Sequence, residues 1–145
     1  MSRVKDFGEV FTPPEVVNDM LNIDGLREYT YDINKTFLEP SVGQGVFLLE
    51  ILKRRLERVD TEEEIKKAVS TLYGVEIQRD NRDICVENIL NLIAEYTTVT
   101  EELKNIVDKN IICGNYLENI DEDGNELVFY EWLKDGYKIH KAADI

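Results

Sequence analysis

The stretch that most constrains the fold runs Thr36-Phe37-Leu38-Glu39-Pro40-Ser41-Val42-Gly43-Gln44-Gly45-Val46-Phe47. A short apolar run ends in an acid and a proline, two glycines follow two positions apart, and an apolar-periodic segment continues from Val46 to Val59. The spacing predicts a strand, a tight turn and a helix. Glycines beneath the start of a helix let a ligand approach the backbone where a Cβ would exclude it. An acid at the end of the strand adds hydrogen-bond acceptors for a ligand with hydroxyls and a polar tail.

Two further apolar runs repeat the pattern. Leu72-Tyr73-Gly74-Val75-Glu76-Ile77 reads as a buried strand closed by an acid, and Asn110-Ile111-Ile112-Cys113 as a third strand stopped by Gly114-Asn115. Helical signals lie between them. Thr61-Glu62-Glu63-Glu64 is a capping box opening a short helix. From about Arg79 a long helix carries Cys85, Ile89, Leu92, Ile93 and Tyr96 on one stripe. Thr100-Glu101-Glu102 starts another, with acids where the helix dipole favours them. Leu127 to Trp132 predicts a fourth strand, after a turn at Asp121–Asn125. Upstream, Thr12 is expected as an N-cap with Pro13 in the first turn, and Val16, Val17, Met20 and Leu21 share a helical face. Strands alternating with helices predict an α/β domain, a mainly parallel sheet of about three to four strands with helices on both faces. Ligands bind such sheets beyond the carboxyl ends of the strands, which here carry Glu39, Glu76 and Gly114-Asn115.

The net charge of −13 argues against a stand-alone polyanion binder, because affinity for nucleic acid comes largely from neutralised phosphates. The cations Lys53, Arg54, Arg55 and Arg58 lie opposite the apolar stripe Leu48, Leu52, Leu56, Val59, and are read as a solvated face. Cys85 and Cys113 lack metal-ligand spacing and are expected to be buried free thiols, so no metal site is expected. No apolar run reaches the roughly 18 residues of a membrane span. The opening residues lack the apolar core of a signal peptide, so a soluble cytoplasmic protein is expected. The lone histidine, His140, is expected to be exposed and idle.

The turn departs from the dinucleotide fingerprint: the third glycine is replaced by Leu48, and Glu76 lies well beyond the usual spacing of about 20 residues. Glu39 repels a pyrophosphate and favours a cationic ligand end such as a sulfonium. Together these features point to S-adenosylmethionine, with Glu76 accepting from both ribose hydroxyls and Asn115 reading the adenine edge.

The same residues resemble the adenine-N6 DNA methyltransferases of restriction–modification systems. Gly8-Glu9-Val10-Phe11-Thr12-Pro13 resembles their Phe-Thr-Pro opening motif, and Leu38 to Phe47 their methyl-donor loop. Tyr73 to Ile77 and Ile111 to Leu117 are similar to their second- and third-strand motifs. The resemblance implies a truncated, Rossmann-like class I S-adenosylmethionine-dependent methyltransferase fold. Its donor-binding residues would be Phe11, Thr12, Pro13, Glu39, Pro40, Ser41, Gly43, Gly45, Phe47, Glu76, Ile77, Asn115 and Tyr116. Thr12 would hold the donor's carboxylate, Phe11 and Pro13 would shape the pocket, and Ile77 would form an apolar wall for the adenine. The implied division is an opening helical segment over 1–35, a truncated donor-binding domain over 36–133 and a polar tail over 134–145. The family's Asn/Asp-Pro-Pro-aromatic motif does not occur, since the one Pro-Pro pair is Pro13-Pro14, so no catalytic residue is assigned. The expectation is a donor-binding portion that is inactive alone and reaches DNA through other domains. Its expected partner is a second copy or a complementing methyltransferase chain, over the strand edge left bare. The alternative is a non-catalytic acidic interaction or regulatory protein derived from a methyltransferase.

Overall fold

The computed structural model describes residues 12–142. The elements are α1 (Pro14–Leu21), α2 (Arg27–Tyr31), β1 (Phe37–Glu39), α3 (Val46–Leu56), α4 (Glu62–Ser70), β2 (Leu72–Glu76), α5 (Arg79–Ala94), α6 (Glu101–Asn110), β3 (Ile111–Asn115), β4 (Ile120–Asp121), β5 (Val128–Leu133) and β6 (Gly136–Lys141). One sheet has the order β1-β2-β3-β4. The first three strands are parallel, with Glu39 opposite Gly74 and Glu76 opposite Cys113. β4 is antiparallel to β3. The sheet is therefore mixed, which corrects the mainly parallel sheet expected from the strand–helix alternation. The chain returns from β3 through a tight turn, with Asn119 at φ 56°, leaving no length for a helical crossover.

The helices also depart from the expected two-sided arrangement. Residues of all four long crossover helices meet in one core, including Leu52, Ile65, Ala68, Cys85, Ile89, Ile106 and Val107, together with Leu72 and Ile111 from the strands. Side chains alternate across a sheet, so Tyr73 and Val75 point the other way. They form a second cluster with Leu38, Ile112, Leu127, Phe129 and Ala142, to which none of α1 to α6 contributes. Strands added in one direction through right-handed crossovers put every crossover on the same face. What covers the opposite face is the β5–β6 hairpin, a separate two-stranded sheet.

Thus the expected fourth strand exists but does not join the main sheet. Its partner β6 lies in the stretch read as a polar tail. Tyr137 and Ile139 alternate there with Lys138 and His140, and Gly136 sits at φ 113° just past the Lys134–Asp135 loop. Tyr73 Oη donates to the Tyr130 carbonyl oxygen (2.5 Å), and Trp132 Nε1 donates to Asn110 Oδ1 (2.7 Å), tying the hairpin to β2 and to the end of α6.

The capping box at Thr61 forms with both reciprocal bonds, and Thr100 caps α6 by accepting from Leu103 N–H. Thr12 is not the cap of α1. Pro13 is the N-cap (φ −61°, ψ 146°) and Pro14 takes the first helical position, because a residue before proline is pushed out of the helical region. On α1 only Val17 and Leu21 are buried, while Val16 and Met20 stay exposed.

The basic run on α3 is the largest departure. Arg54 and Arg55 are 4% and 0% exposed. Arg55 donates to the carbonyl oxygens of Thr30 (3.2 Å), Lys35 (2.6 Å) and Ala68 (3.2 Å) and to Thr71 Oγ1 (2.8 Å). Arg54 pairs with Glu50 and reaches the side-chain oxygens of Asn18, Asn22 and Thr30. Arg82 does the same for α6, donating to the carbonyl oxygens of Ile111 and Asp108 and to the Asp108 carboxylate. Each planar fork spans several acceptors at once: Arg55 and Arg82 take backbone oxygens near the ends of α2, α4 and α6, with Lys35 and Ile111 beside them, and Arg54 takes side-chain oxygens of α1, α2 and Asn22. Burial pulls the Arg55 guanidinium down to about 10, with Asp32 opposing, so the buried group is still a cation at neutral pH.

Candidate functional site: the carboxyl ends of the strands

The turn after β1 is fixed by backbone bonds on both sides. Val42 N–H donates to the Val75 carbonyl oxygen (2.9 Å), continuing the β1–β2 pairing by one residue, and Gly45 N–H donates back to the Val42 carbonyl oxygen (3.0 Å). Gly43 and Gly45 lie at φ 59° and 97°, in the region that L side chains rarely adopt. Two close approaches demand glycine for further reasons. A Cβ on Gly74 would lie 2.8 Å from the Val42 side chain, and one on Gly45 would lie 2.8 Å from Cys85 Sγ. Val42 is thus seated over β2, and α3 starts flush against α5.

Glu76 joins the turn to the end of β2. It is 7% exposed. One carboxylate oxygen accepts from Gly43 N–H (3.2 Å) and the other from Gln78 N–H (2.9 Å). A carboxylate offers about four acceptor positions. Two backbone bonds therefore hold its orientation and leave capacity for the two hydroxyls of a vicinal diol. Ile77, the next residue, is 51% exposed, an apolar side chain beside that acid.

Glu39 ends β1 on the same edge and accepts from Ser41 N–H at 3.3 Å. Burial pushes its carboxyl above the usual range, and the Ser41 bond offsets part of that. Pro40 and Ser41 are exposed at the rim, while Phe47 packs partly buried against the main core. Asn115 lies two residues beyond the position opposite Glu76. Its Oδ1 accepts from Glu118 N–H (3.1 Å) in the turn to β4, so its side chain offers a base the Nδ2 donor. Tyr116 stands exposed next to it. Phe11 lies outside the described residues. Thr12 is half-buried and Pro13 exposed. A cavity of about 310 Å³ lined by Pro14, Val17, Val46 and Leu49 brings the start of α1 beside the first turn of α3, directly after the glycine turn.

Three residues absent from the sequence expectations complete the turn. Gln44 Nε2 donates to Asn81 Oδ1 (3.1 Å), and Asn88 Nδ2 donates to the Gln44 carbonyl oxygen (3.1 Å). Between them in the helix sits Cys85, fully buried, its thiol pushed up to about 12 by burial. The signal was present: two asparagines bracket Cys85 at helical spacing, and long apolar helices rarely place amides on their inner face without a partner.

A larger cavity, about 720 Å³, lies at the opposite, amino-terminal ends of the strands, bounded by Ile33, Ile65, Lys66, Leu103 and Trp132. Size alone would favour it. The chemistry does not, because the acids and the glycine turn converge at the other end, where parallel sheets take ligands. Among the described residues no group of three or more His, Cys, Asp or Glu side chains could hold a metal ion. No helix among them is long and apolar enough to cross a membrane. Both cysteines are free and buried.

No curated protein and no solved structure matches the chain. The profile of the N-6 DNA methylases matches residues 1–113, a span that takes in the opening motif, the glycine turn, the Glu76 strand and the start of β3. The chain belongs to the N-6 DNA methylase family, and residues 1–113 correspond to the amino-terminal part of an adenine-N6 DNA methyltransferase.

Proposed function

We propose that these residues form the S-adenosylmethionine-binding portion of a site-specific DNA adenine-N6 methyltransferase of a restriction–modification system, with a Rossmann-like class I architecture. The observation that carries this reading is the joint between Glu76 and the glycine turn: a nearly buried carboxylate bonded to Gly43 N–H, with acceptor capacity left over. The residues fit the donor. Glu76 would take the ribose hydroxyls, Ile77 one side of the adenine, and Asn115 Nδ2 an acceptor on the base. Gly43 and Gly45 would leave room for the methionine moiety. Glu39 would face the sulfonium end, and Phe11, Thr12 and Pro13 would close the pocket over the carboxylate. The donor itself supplies an electrophilic methyl group.

The Asn-Pro-Pro-aromatic motif that would hold a flipped adenine does not occur in these 145 residues. Methyl transfer therefore calls for polypeptide beyond them, in the same chain or a complementing one. The negative charge assigns most of the DNA contact to that polypeptide as well. The cytoplasm, where the donor and the chromosome meet, is the proposed location. Association with a second copy or a complementing chain is proposed along β1, one of the two edge strands of the sheet.

Thermal melting tests the reading. S-adenosylmethionine or S-adenosylhomocysteine at 100 times its dissociation constant should stabilise the fold by about 2.7 kcal/mol. Glu76→Ala should abolish the shift. A folded wild-type protein whose melting point ignores both ligands contradicts donor binding, and methyl transfer to DNA by these residues alone contradicts the assignment of catalysis elsewhere.

A further inference from the structure

We infer that Asn88 of α5 is a positioning residue for the glycine turn, and that through Gln44 it sets the affinity of the donor site without touching the donor. The inference rests on the donor-site reading above. Gln44 is the residue between the two glycines. Its backbone oxygen accepts from Asn88 Nδ2 (3.1 Å) and its side chain donates to Asn81 Oδ1 (3.1 Å). Asn81, Cys85 and Asn88 fall at i, i+4 and i+7, one face of α5. Asn81 is 2% and Cys85 0% exposed, and Cys85 Sγ occupies the space beside Gly45. One stripe of a single helix therefore grips the turn at three successive points.

The consequence follows from backbone geometry. Glycine loses the most conformational freedom on folding, and this turn has glycine on both sides of Gln44. The peptide between Gln44 and Gly45 is a rigid plane, so holding the Gln44 oxygen also holds the Gly45 N–H that bonds Val42. α5 begins at Arg79, three residues after Glu76. The helix that holds the turn thus grows directly out of the acid strand. Asn88 fixes the distance between the two halves of the site before a ligand arrives, and preorganisation of this kind appears as affinity.

Asn88→Asp is nearly isosteric, but its carboxylate has no hydrogen to give and faces the Gln44 oxygen. The expected result is a loss of S-adenosylhomocysteine affinity of about threefold to tenfold, the worth of one hydrogen bond. It is measured by calorimetric titration at a temperature where the variant is fully folded. Gly45 amide exchange in the ligand-free protein should quicken by a similar factor. Asn88→Ala, which removes the donor without adding charge, should shift both quantities in the same direction by less. Asn110→Asp is the control: it alters a buried amide bonded to Trp132 and to the carbonyl oxygens of Ser70 and Leu72. It should lower the melting temperature and leave the affinity of the folded protein unchanged. Unchanged affinity and unchanged Gly45 exchange in both Asn88 variants overturn the inference. An equal affinity loss in the Asn110 variant also overturns it, by showing a general effect of instability. If the wild type binds no donor, the proposed function falls and the affinity role falls with it. Gly45 exchange then still decides whether Asn88 holds the turn.

Discussion

Replacing Gly45 with alanine tests how the glycine turn is built. Two separate costs are expected. Gly45 sits at φ 97°, and placing a Cβ in left-handed backbone costs about 1–2 kcal/mol. The new methyl group would also lie 2.8 Å from Cys85 Sγ, an atom of a fully buried residue, and overpacking of this kind costs about 1–3 kcal/mol. Gly45→Ala should therefore destabilise the protein by about 2–5 kcal/mol, lowering the melting temperature by roughly 10 °C. The second cost has a partner. Cys85→Ala removes the sulfur, so the double variant should recover the overpacking and keep only the backbone strain. Urea unfolding followed by far-ultraviolet circular dichroism on the four proteins of the cycle gives the coupling, expected at about 1–3 kcal/mol in favour of the double variant. Additive single effects, with coupling below about 0.3 kcal/mol, would show that α3 and α5 do not meet at this point. A Gly45→Ala protein as stable as wild type would remove the strain argument too.

Two further perturbations probe the buried Arg55 and the half-buried Glu39. Arg55→Met should cost about 3–5 kcal/mol in urea unfolding, because the carbonyl oxygens of Thr30, Lys35 and Ala68 lose their donor together. Arg55→Lys should recover less than half, since one ammonium cannot span four acceptors, and a Met variant within about 1 kcal/mol of wild type would show the clamp to be dispensable. Glu39→Gln should separate stability from binding. Burial raises the folded carboxyl above the unfolded value of 4.5, so ionisation costs stability above the folded pKa and nothing below the unfolded one. The variant should be slightly more stable than wild type at pH 7, equal to it near pH 4, and several-fold weaker for a sulfonium donor. Unchanged donor affinity in that variant would remove Glu39 from the site.

The local backbone of the candidate site was more legible in the sequence than the fold around it. Gly43 and Gly45 announce themselves because turn chemistry is local: two glycines beside a strand-ending acid constrain φ and ψ whatever packs around them. The caps at Thr61 and Thr100 were legible for the same reason. Arg54 and Arg55 were misread because a cation beside an apolar stripe normally points to water. Their burial depends on acceptors outside α3, the carbonyl oxygens of Thr30, Lys35 and Ala68 for Arg55 and the side-chain oxygens of Asn18, Asn22 and Thr30 for Arg54, whose need for donors no periodicity reports. β4 has two residues, too few for any alternation. The hairpin could have been read from Asp135-Gly136 and the alternation around Tyr137 and Ile139, but lysines at 134, 138 and 141 gave the stretch the composition of a tail. The boundary at Thr12 turned on which of two prolines takes the first helical position, a choice the restriction on residues before proline decides in favour of Pro14.

The most direct test of the account is where the donor lands. Backbone amide shifts recorded while S-adenosylhomocysteine is titrated into the protein locate the site residue by residue. The donor-site reading predicts saturable shifts centred on Gly43, Gly45, Glu76 and Ile77, extending to Gln44 and Asn88, with Trp132 and Leu103 undisturbed. Shifts centred instead on the large cavity by Trp132, or none at millimolar ligand, would contradict it.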